Sequence, residues 1–234
     1  MPKSKLPFKN FVWSSELAYA VGLLVTDGNL SGDGRHITMR SSDIQLLKTF
    51  KKCLGIKNKI GQTKNGEIIS HRVQFGNVQF YNWLVVIGIT PAKTHTIGKI
   101  KIPNKYFRDF LRGHLDGDGS ISAYIDKYNV YNGRTYINQR FFTRFTGASK
   151  NHIDWLYEKI SANAKVKGAI IHKPPVIPNR VSMWDIKFAK KESIKLLNWI
   201  YYQDNLPCLE RKRKIALKTI DKISKEKRRK YTFV

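Results

Sequence analysis

Two Asp-Gly pairs, Asp27-Gly28 and Asp118-Gly119, stand in matching contexts along this chain. Each closes an apolar stretch and precedes a short polar strand. A carboxylate at a helix C-terminus faces the negative end of the helix dipole, so it does nothing for helix stability. A divalent cation would compensate. Hard oxygen ligands from Asp27 and Asp118, with the main-chain carbonyls of Thr26 and Gly117 beside them, suit Mg²⁺, with Mn²⁺ as a substitute. Set against a phosphodiester, such a cluster activates water and stabilises the leaving oxygen. A single Asp-Gly is an ordinary turn. Two in register on one basic chain point to a metal site.

The register extends beyond the pairs. Aligning Val21–Ser31 with Arg112–Ser122 matches Gly22 to Gly113, Leu24 to Leu115, Asp27 to Asp118, Gly28 to Gly119 and Ser31 to Ser122. Such internal similarity is the mark of a duplicated unit. Leu17–Val25 and Phe107–Leu115 read as helices. Ala18 and Gly22 lie one turn apart on the first, and Asp109, Gly113 and Gly117 on the second. Small residues on one stripe let two helix backbones approach closely. If these helices pack on each other, Asp27 and Asp118 meet at the seam. Gly28 and Gly119 are expected to let the chain leave each helix in a conformation that other residues resist.

The segments that follow repeat the plan. "RHITMRSSDIQLLKTFKKCLGI" reads as a strand with Ile37 and Met39 inward, then a helix capped by Asp43 with Leu46, Leu47, Phe50 and Leu54 on one face. "RFFTRFTGASKNHIDWLYEKI" does the same with Ile153, Leu156, Tyr157 and Ile160. Each half then adds a strand, a polar turn and an apolar-faced helix carrying Trp83 or Trp199. Each half therefore reads αββαββα, an α+β pattern in two related copies. Residues 1–100 form the first half and residues 101–234 the second. Pro103 precedes a helix capped by Asn104. The second half carries the longer hairpin, turning at Asn132-Gly133. Its tail is a basic helix with Ile215, Ile220 and Ile223 as a thin apolar stripe.

Forty-three Lys and Arg against seventeen Asp and Glu, in 234 residues, leave a formal charge of +26. That field favours a polyanion, and nucleic acid is the commonest. No segment approaches the roughly 20 apolar residues of a spanning helix, so no membrane partner is expected. The basic start, "MPKSKLPFKNF", lacks the apolar core of a secretory signal and reads as a retained arm. Cys53 and Cys208 form no C-x-x-C pair and read as buried free thiols in a reducing, intracellular compartment.

The two motif copies, "AVGLLVTDG" (Ala20–Gly28) and "LRGHLDGDG" (Leu111–Gly119), resemble the LAGLIDADG homing endonucleases of the single-chain, two-motif type. The resemblance covers nearly the whole chain. It implies that each half is a four-stranded antiparallel sheet backed by helices, that the two sheets form a basic saddle over a DNA major groove, and that the motif helices pack at the centre. It implies a monomer that makes a metal-dependent double-strand break in a long asymmetric duplex and leaves short 3′ extensions. Both copies keep the motif's metal-binding carboxylate. The sixth motif position is Asp116 in one copy and Val25 in the other. A basic residue after the last apolar helix of each half is implied to reach the metal-bound water or the scissile phosphate. Lys93 and Lys212 occupy that place, with Arg211 a close alternative. His95 is expected to be structural or phosphate-binding.

On this reading the DNA-facing residues alternate with core residues along each strand. They are His36, Thr38, Arg40, Arg72 and Gln74 in the first half. In the second they are Arg140, Thr143, Arg144, Arg180, Ser182, Asp185 and Lys187. Arg suits guanine and Gln suits adenine. Two rivals use the same scaffold: an intron maturase that binds RNA, and a DNA-binding regulator that does not cleave.

Overall fold

The computed structural model describes residues 11–175 and 181–231. The basic start (residues 1–10) and Arg180 lie outside them. The first half runs through α1 (Ser15–Thr26), β1 (Gly28–Leu30), β2 (His36–Ser41), α2 (Ile44–Leu54), β3 (Ile60–Asn65), β4 (Ile68–Gly76) and α3 (Val78–Ile87). The second runs through α4 (Phe107–Asp116), β5 (Ser120–Tyr131), β6 (Arg134–Gly147), α5 (Lys150–Ala164), β7 (Ala169–Lys173), β8 (Met183–Phe188) and α6 (Lys190–Ile200). A last helix, α7 (Glu210–Tyr231), follows. The two four-stranded antiparallel sheets have matching orders, β1-β2-β4-β3 and β5-β6-β8-β7. No helix among the described residues is long and apolar enough to cross a membrane.

Local chemistry sets the helix ends. The Ser14 hydroxyl accepts from Leu17 N at 3.1 Å, and the Asp43 carboxylate accepts from Gln45 N at 3.2 Å. Asn77 caps α3 through Phe80 N. Gly55 and Gly88 close α2 and α3 in the left-handed region, with φ of 61° and 111°, where a Cβ is costly. Asn132 and Gly133, with φ of 50° and 70°, make the tight turn of the β5–β6 hairpin. Two details differ from the sequence reading. Asn104 begins a 3-10 turn that runs into α4 rather than capping it, and its amide oxygen accepts from Lys159 instead. On α7, Ile215 faces solvent; Lys212, Ala216, Thr219 and Ile223 form the buried stripe.

Helices α1 and α4 form the central seam. A Cβ built on Gly22 would lie 2.1 Å from the carbonyl oxygen of Phe110, and one on Gly113 would lie 2.1 Å from that of Tyr19. The backbones therefore touch, which a larger residue at either position prevents. Leu17, Tyr19, Leu23, Phe107, Phe110 and Leu115 complete the packing and are fully buried.

The segment between α6 and α7 folds back across this seam. Arg112, itself 0% exposed, pairs with Asp109 at 2.7 Å. It also donates to the carbonyls of Pro207 (2.7 Å) and Ile200 (3.1 Å). The Asp116 carboxylate accepts from Leu209 N at 2.7 Å and from the Tyr19 hydroxyl at 2.9 Å. The Gln45 amide donates to Cys208 O and accepts from Glu210 N. These bonds tie the segment to α2 and α4, and α4 in turn to α1. Cys53 and Cys208 are free and buried, and burial pushes both thiols up to about 12.

Candidate active site and nucleic-acid interface

Asp27 sits at the C-cap of α1, and Asp118 lies one residue beyond the C-cap of α4. The seam brings them together. A Cβ on Gly117 would meet Thr26 Oγ1 at 2.0 Å and Asp27 Oδ2 at 2.9 Å, so the first carboxylate lies against the second motif. Gly28 and Gly119 are not in the left-handed region. They are glycine because each strand turns back tightly on its own helix: a Cβ would lie 2.5 Å from Leu24 O at Gly28 and 2.7 Å from Leu115 O at Gly119.

Among the described residues, neither carboxylate accepts a hydrogen bond or forms an ion pair. Burial, and then the neighbouring Asp118, push Asp27 up to about 7. Asp118 is more open to solvent, yet the protein crowding it also raises its carboxyl. Two poorly solvated carboxylates in one place favour binding a proton or a cation.

Lys93 and Lys212 are the nearby cations, 8% and 6% exposed. Neither forms an ion pair with the aspartates. Main-chain carbonyls hold both. Lys212 Nζ donates to Leu115 O (2.7 Å), Asp116 O (2.8 Å), Gly117 O (3.2 Å) and Gly119 O (2.7 Å). Lys93 Nζ donates to Gly28 O. Lys212 thus satisfies orphan carbonyls at the C-terminus of α4, where the helix dipole favours a cation. Burial lowers both ammonium groups, Lys212 to about 8, against the opposing pull of the aspartates. Arg211 points away, exposed and paired with Asp43 at 3.0 Å. His95 is exposed.

The carbonyl of Gly117, expected beside the cation, is shared with Lys212; the Thr26 hydroxyl turns back to Leu23 O at 3.0 Å. No group of three or more His, Cys, Asp or Glu able to hold a metal occurs among the described residues. The two carboxylates nevertheless fit a hard divalent ion, because no protein donor neutralises them. Mg²⁺ keeps much of its own water and needs only one or two carboxylates.

On the first sheet, His36, Thr38 and Arg40 share the outer face with Arg72 and Gln74, since Arg40 opposes Arg72 and Thr38 opposes Gln74. Arg40, Arg72 and Gln74 are exposed, and their side chains make no hydrogen bond or ion pair among the described residues. Thr38 is largely covered by neighbours, and the His36 ring contacts Asp33.

The second sheet differs. Thr143 faces the core at 0% exposure, so it does not belong to a nucleic-acid surface. Phe141 and Phe145 flank it on the same inner face, leaving Arg140, Phe142 and Arg144 outward. Asp185 is on the outer face but 1% exposed, closed off by Thr146 at 2.8 Å and by an ion pair with Lys173. Arg140 pairs with Asp126 at 3.0 Å. Lys187 and Arg144 lie 4.1 and 5.6 Å from the Phe142 ring centre. Ser182 is half-buried just before β8. The sequence reading overlooked Phe142 and Tyr124 on this face, and Asn29 and Ser70 on the first. Their signal was the period-2 alternation itself, carried across register partners.

No family model matches the sequence. No curated protein matches it. Solved structures do match in fold. The I-LtrWI LAGLIDADG homing endonuclease bound to target DNA is 14% identical, covering 91% of this chain and 91% of that one, with a TM-score of 0.57. I-DmoI in complex with DNA and Ca is 16% identical, covering 82% and 93%, with a TM-score of 0.51. Full-length DUF199/WhiA from Thermatoga maritima is 17% identical, covering 98% and 67%, with a TM-score of 0.55. At these identities the shared property is the fold. The chain has the two-halved fold found in LAGLIDADG homing endonucleases and in DUF199/WhiA.

Proposed function

We propose that this protein is a divalent-metal-dependent, site-specific DNA endonuclease that cuts both strands of a long asymmetric duplex. The observation that carries this reading is the meeting of Asp27 and Asp118 at the seam, with Lys93 and Lys212 held beside them by carbonyls. A divalent cation held there, Mg²⁺ or Mn²⁺, supplies Lewis-acid charge to the attacking water and the leaving oxygen. The residues of the chain do the rest. Asp27 and Asp118 hold the cation. Lys93 and Lys212 place positive charge where an oxyanion develops, and carbonyl anchoring fixes them before substrate arrives. The outer sheet faces and the charge of +26 hold the phosphate backbone. The unequal faces suit a non-palindromic target.

A second reading is favoured by one finding: the same fold occurs in DUF199/WhiA, which is not named as an endonuclease. On that reading the chain binds duplex DNA and does not cut it. Incubating a plasmid library with Mg²⁺ and sequencing the ends separates the two. The endonuclease reading gives one recurring long context with short 3′ extensions. Duplex selection without cutting in Mg²⁺ or Mn²⁺ gives the other.

A further inference from the structure

The outer face of the second sheet carries an aromatic ring, Phe142, on its central strand, where the central strands of the first sheet carry Thr38, Arg40, Arg72 and Gln74. Phe142 lies on the central strand β6, between Arg140 and Arg144 in the outward series. Tyr124 from β5 flanks it on one side, with ring centres 6.3 Å apart and planes tilted by 46°. Lys187 from β8 flanks it on the other, its Nζ 4.1 Å from the ring centre, and Arg144 Cζ lies at 5.6 Å. The ring is therefore wedged among an aromatic neighbour and two cations. Lys187 lies over one ring face, and the bases of an intact duplex are already stacked on one another, so a duplex offers this ring only base edges in the groove. What remains for a ligand is the ring edge, with apolar Lys and Arg stems around it and cationic heads above.

An apolar edge ringed by cations fits one feature of a duplex major groove. The thymine 5-methyl group is the apolar mark that distinguishes it there, and it lies between two phosphate strands. We infer that Phe142, seated by Tyr124 and Lys187, selects thymine at one or two positions of the half-site covered by the second sheet. The first sheet, with free Arg40, Arg72 and Gln74, reads its half-site through hydrogen bonds instead. This inference rests on the DNA-binding reading above.

The test begins with a duplex selected by the full chain from a random library in Ca²⁺. Each thymine in it is then replaced in turn by deoxyuridine, which removes only the methyl group. Wild-type protein loses affinity about fourfold at one or two positions of one half-site, the scale of a single buried methyl. Phe142→Ala binds the thymine duplex about fourfold more weakly and no longer distinguishes deoxyuridine at those positions. Phe142→Leu keeps an apolar side chain and retains part of the discrimination. The inference is overturned if no thymine position responds in the wild type, or if Phe142→Ala keeps the full response. It is also overturned if Phe142→Ala weakens binding of a single-stranded RNA oligonucleotide while leaving the duplex unchanged. Recovery of no duplex at all would instead count against DNA binding itself.

Discussion

Val21 of α1 corresponds to Arg112 of α4, Leu23 to His114 and Val25 to Asp116. The three residues of the first half are apolar. The three of the second are buried polar groups, each engaged in a hydrogen bond. Each half must also deliver a lysine to the seam, and the routes differ. Lys93 follows soon after α3 ends at Ile87. Lys212 lies beyond a longer segment that starts after Ile200 and crosses the molecule. A longer connection loses more conformational freedom on ordering. Arg112 and Asp116 hold that segment at Ile200, Pro207 and Leu209. The comparison teaches that the two carboxylates are duplicated, whereas the means of fixing their lysines are not.

The largest effect is expected from removing that anchor. Arg112→Met leaves Asp109 buried without its cation and should cost about 3–5 kcal/mol. At about 2–4 °C per kcal/mol for a chain of this size, the fall in Tm is easily measured. Val21→Ala, the corresponding change in the first half, removes two buried methyl groups and should cost about 1.5 kcal/mol. Adding Asp109→Leu to Arg112→Met should recover part of the loss, because no buried charge is then stranded. Equal costs for Arg112→Met and Val21→Ala would break the comparison.

The lysines sharpen it. Lys93→Met and Lys212→Met should each slow cleavage of one strand about 10²–10³-fold, the usual cost of losing one donor to a developing charge. They should act on opposite strands. Nicked circles should accumulate from a supercoiled one-site plasmid, and separately labelled strands report which is cut. Only Lys212→Met should also lower the Tm markedly, since it strands four carbonyls rather than one. If both variants slow both strands alike, the lysines serve shared binding or a shared metal.

A third difference is a buried histidine pair in the second half, with no counterpart among the described residues of the first. His114 and His152 stack with ring centres 5.3 Å apart and share a 3.1 Å Nε2···Nε2 hydrogen bond. His152 Nδ1 donates to Gly98 O at 2.8 Å. Burial, then the neighbouring histidine, hold His114 well below its usual value, and burial lowers His152 to about 4. A depressed histidine binds its proton more readily in the unfolded chain. Its contribution is complete above about pH 6.5 and is lost as pH falls towards 4. For His152 the loss is roughly 3 kcal/mol, at 1.36 kcal/mol per unit. Urea unfolding from pH 7 to 4 should show it against His114→Leu, His152→Leu, which flattens that slope. An identical pH dependence in both proteins would remove the histidines from the account.

Much of this was legible in the sequence because it is local or periodic. The Asp-Gly repeats, the Gly22 and Gly113 stripe, the Asp43 cap and the Asn132-Gly133 turn depend on residues close in the chain. Thr143 was placed on the wrong face because "RFFTRF" sets two aromatics together and then two polar residues. Alternation alone does not say which aromatic goes inward; Phe141 and Phe145 settle it by filling the core. Asp185 is outward, as its position implies, but Thr146 and Lys173 close it from neighbouring strands. Gly28 and Gly119 were legible as necessary glycines, though for close approach rather than backbone sign. The Arg112–Pro207 and Asp116–Leu209 bonds join residues far apart in sequence, so no local pattern reveals them.

The account depends most on the paired carboxylates acting as a hydrolytic centre. Its most direct test is cleavage of the selected duplex in Mg²⁺ by Asp27→Asn, Asp118→Asn, with affinity for the same duplex measured in parallel in Ca²⁺. Binding draws on phosphate neutralisation and groove contacts, so affinity should stay within a few-fold of wild type while double-strand cleavage disappears. Wild-type cleavage by the double variant would contradict the assignment of the site.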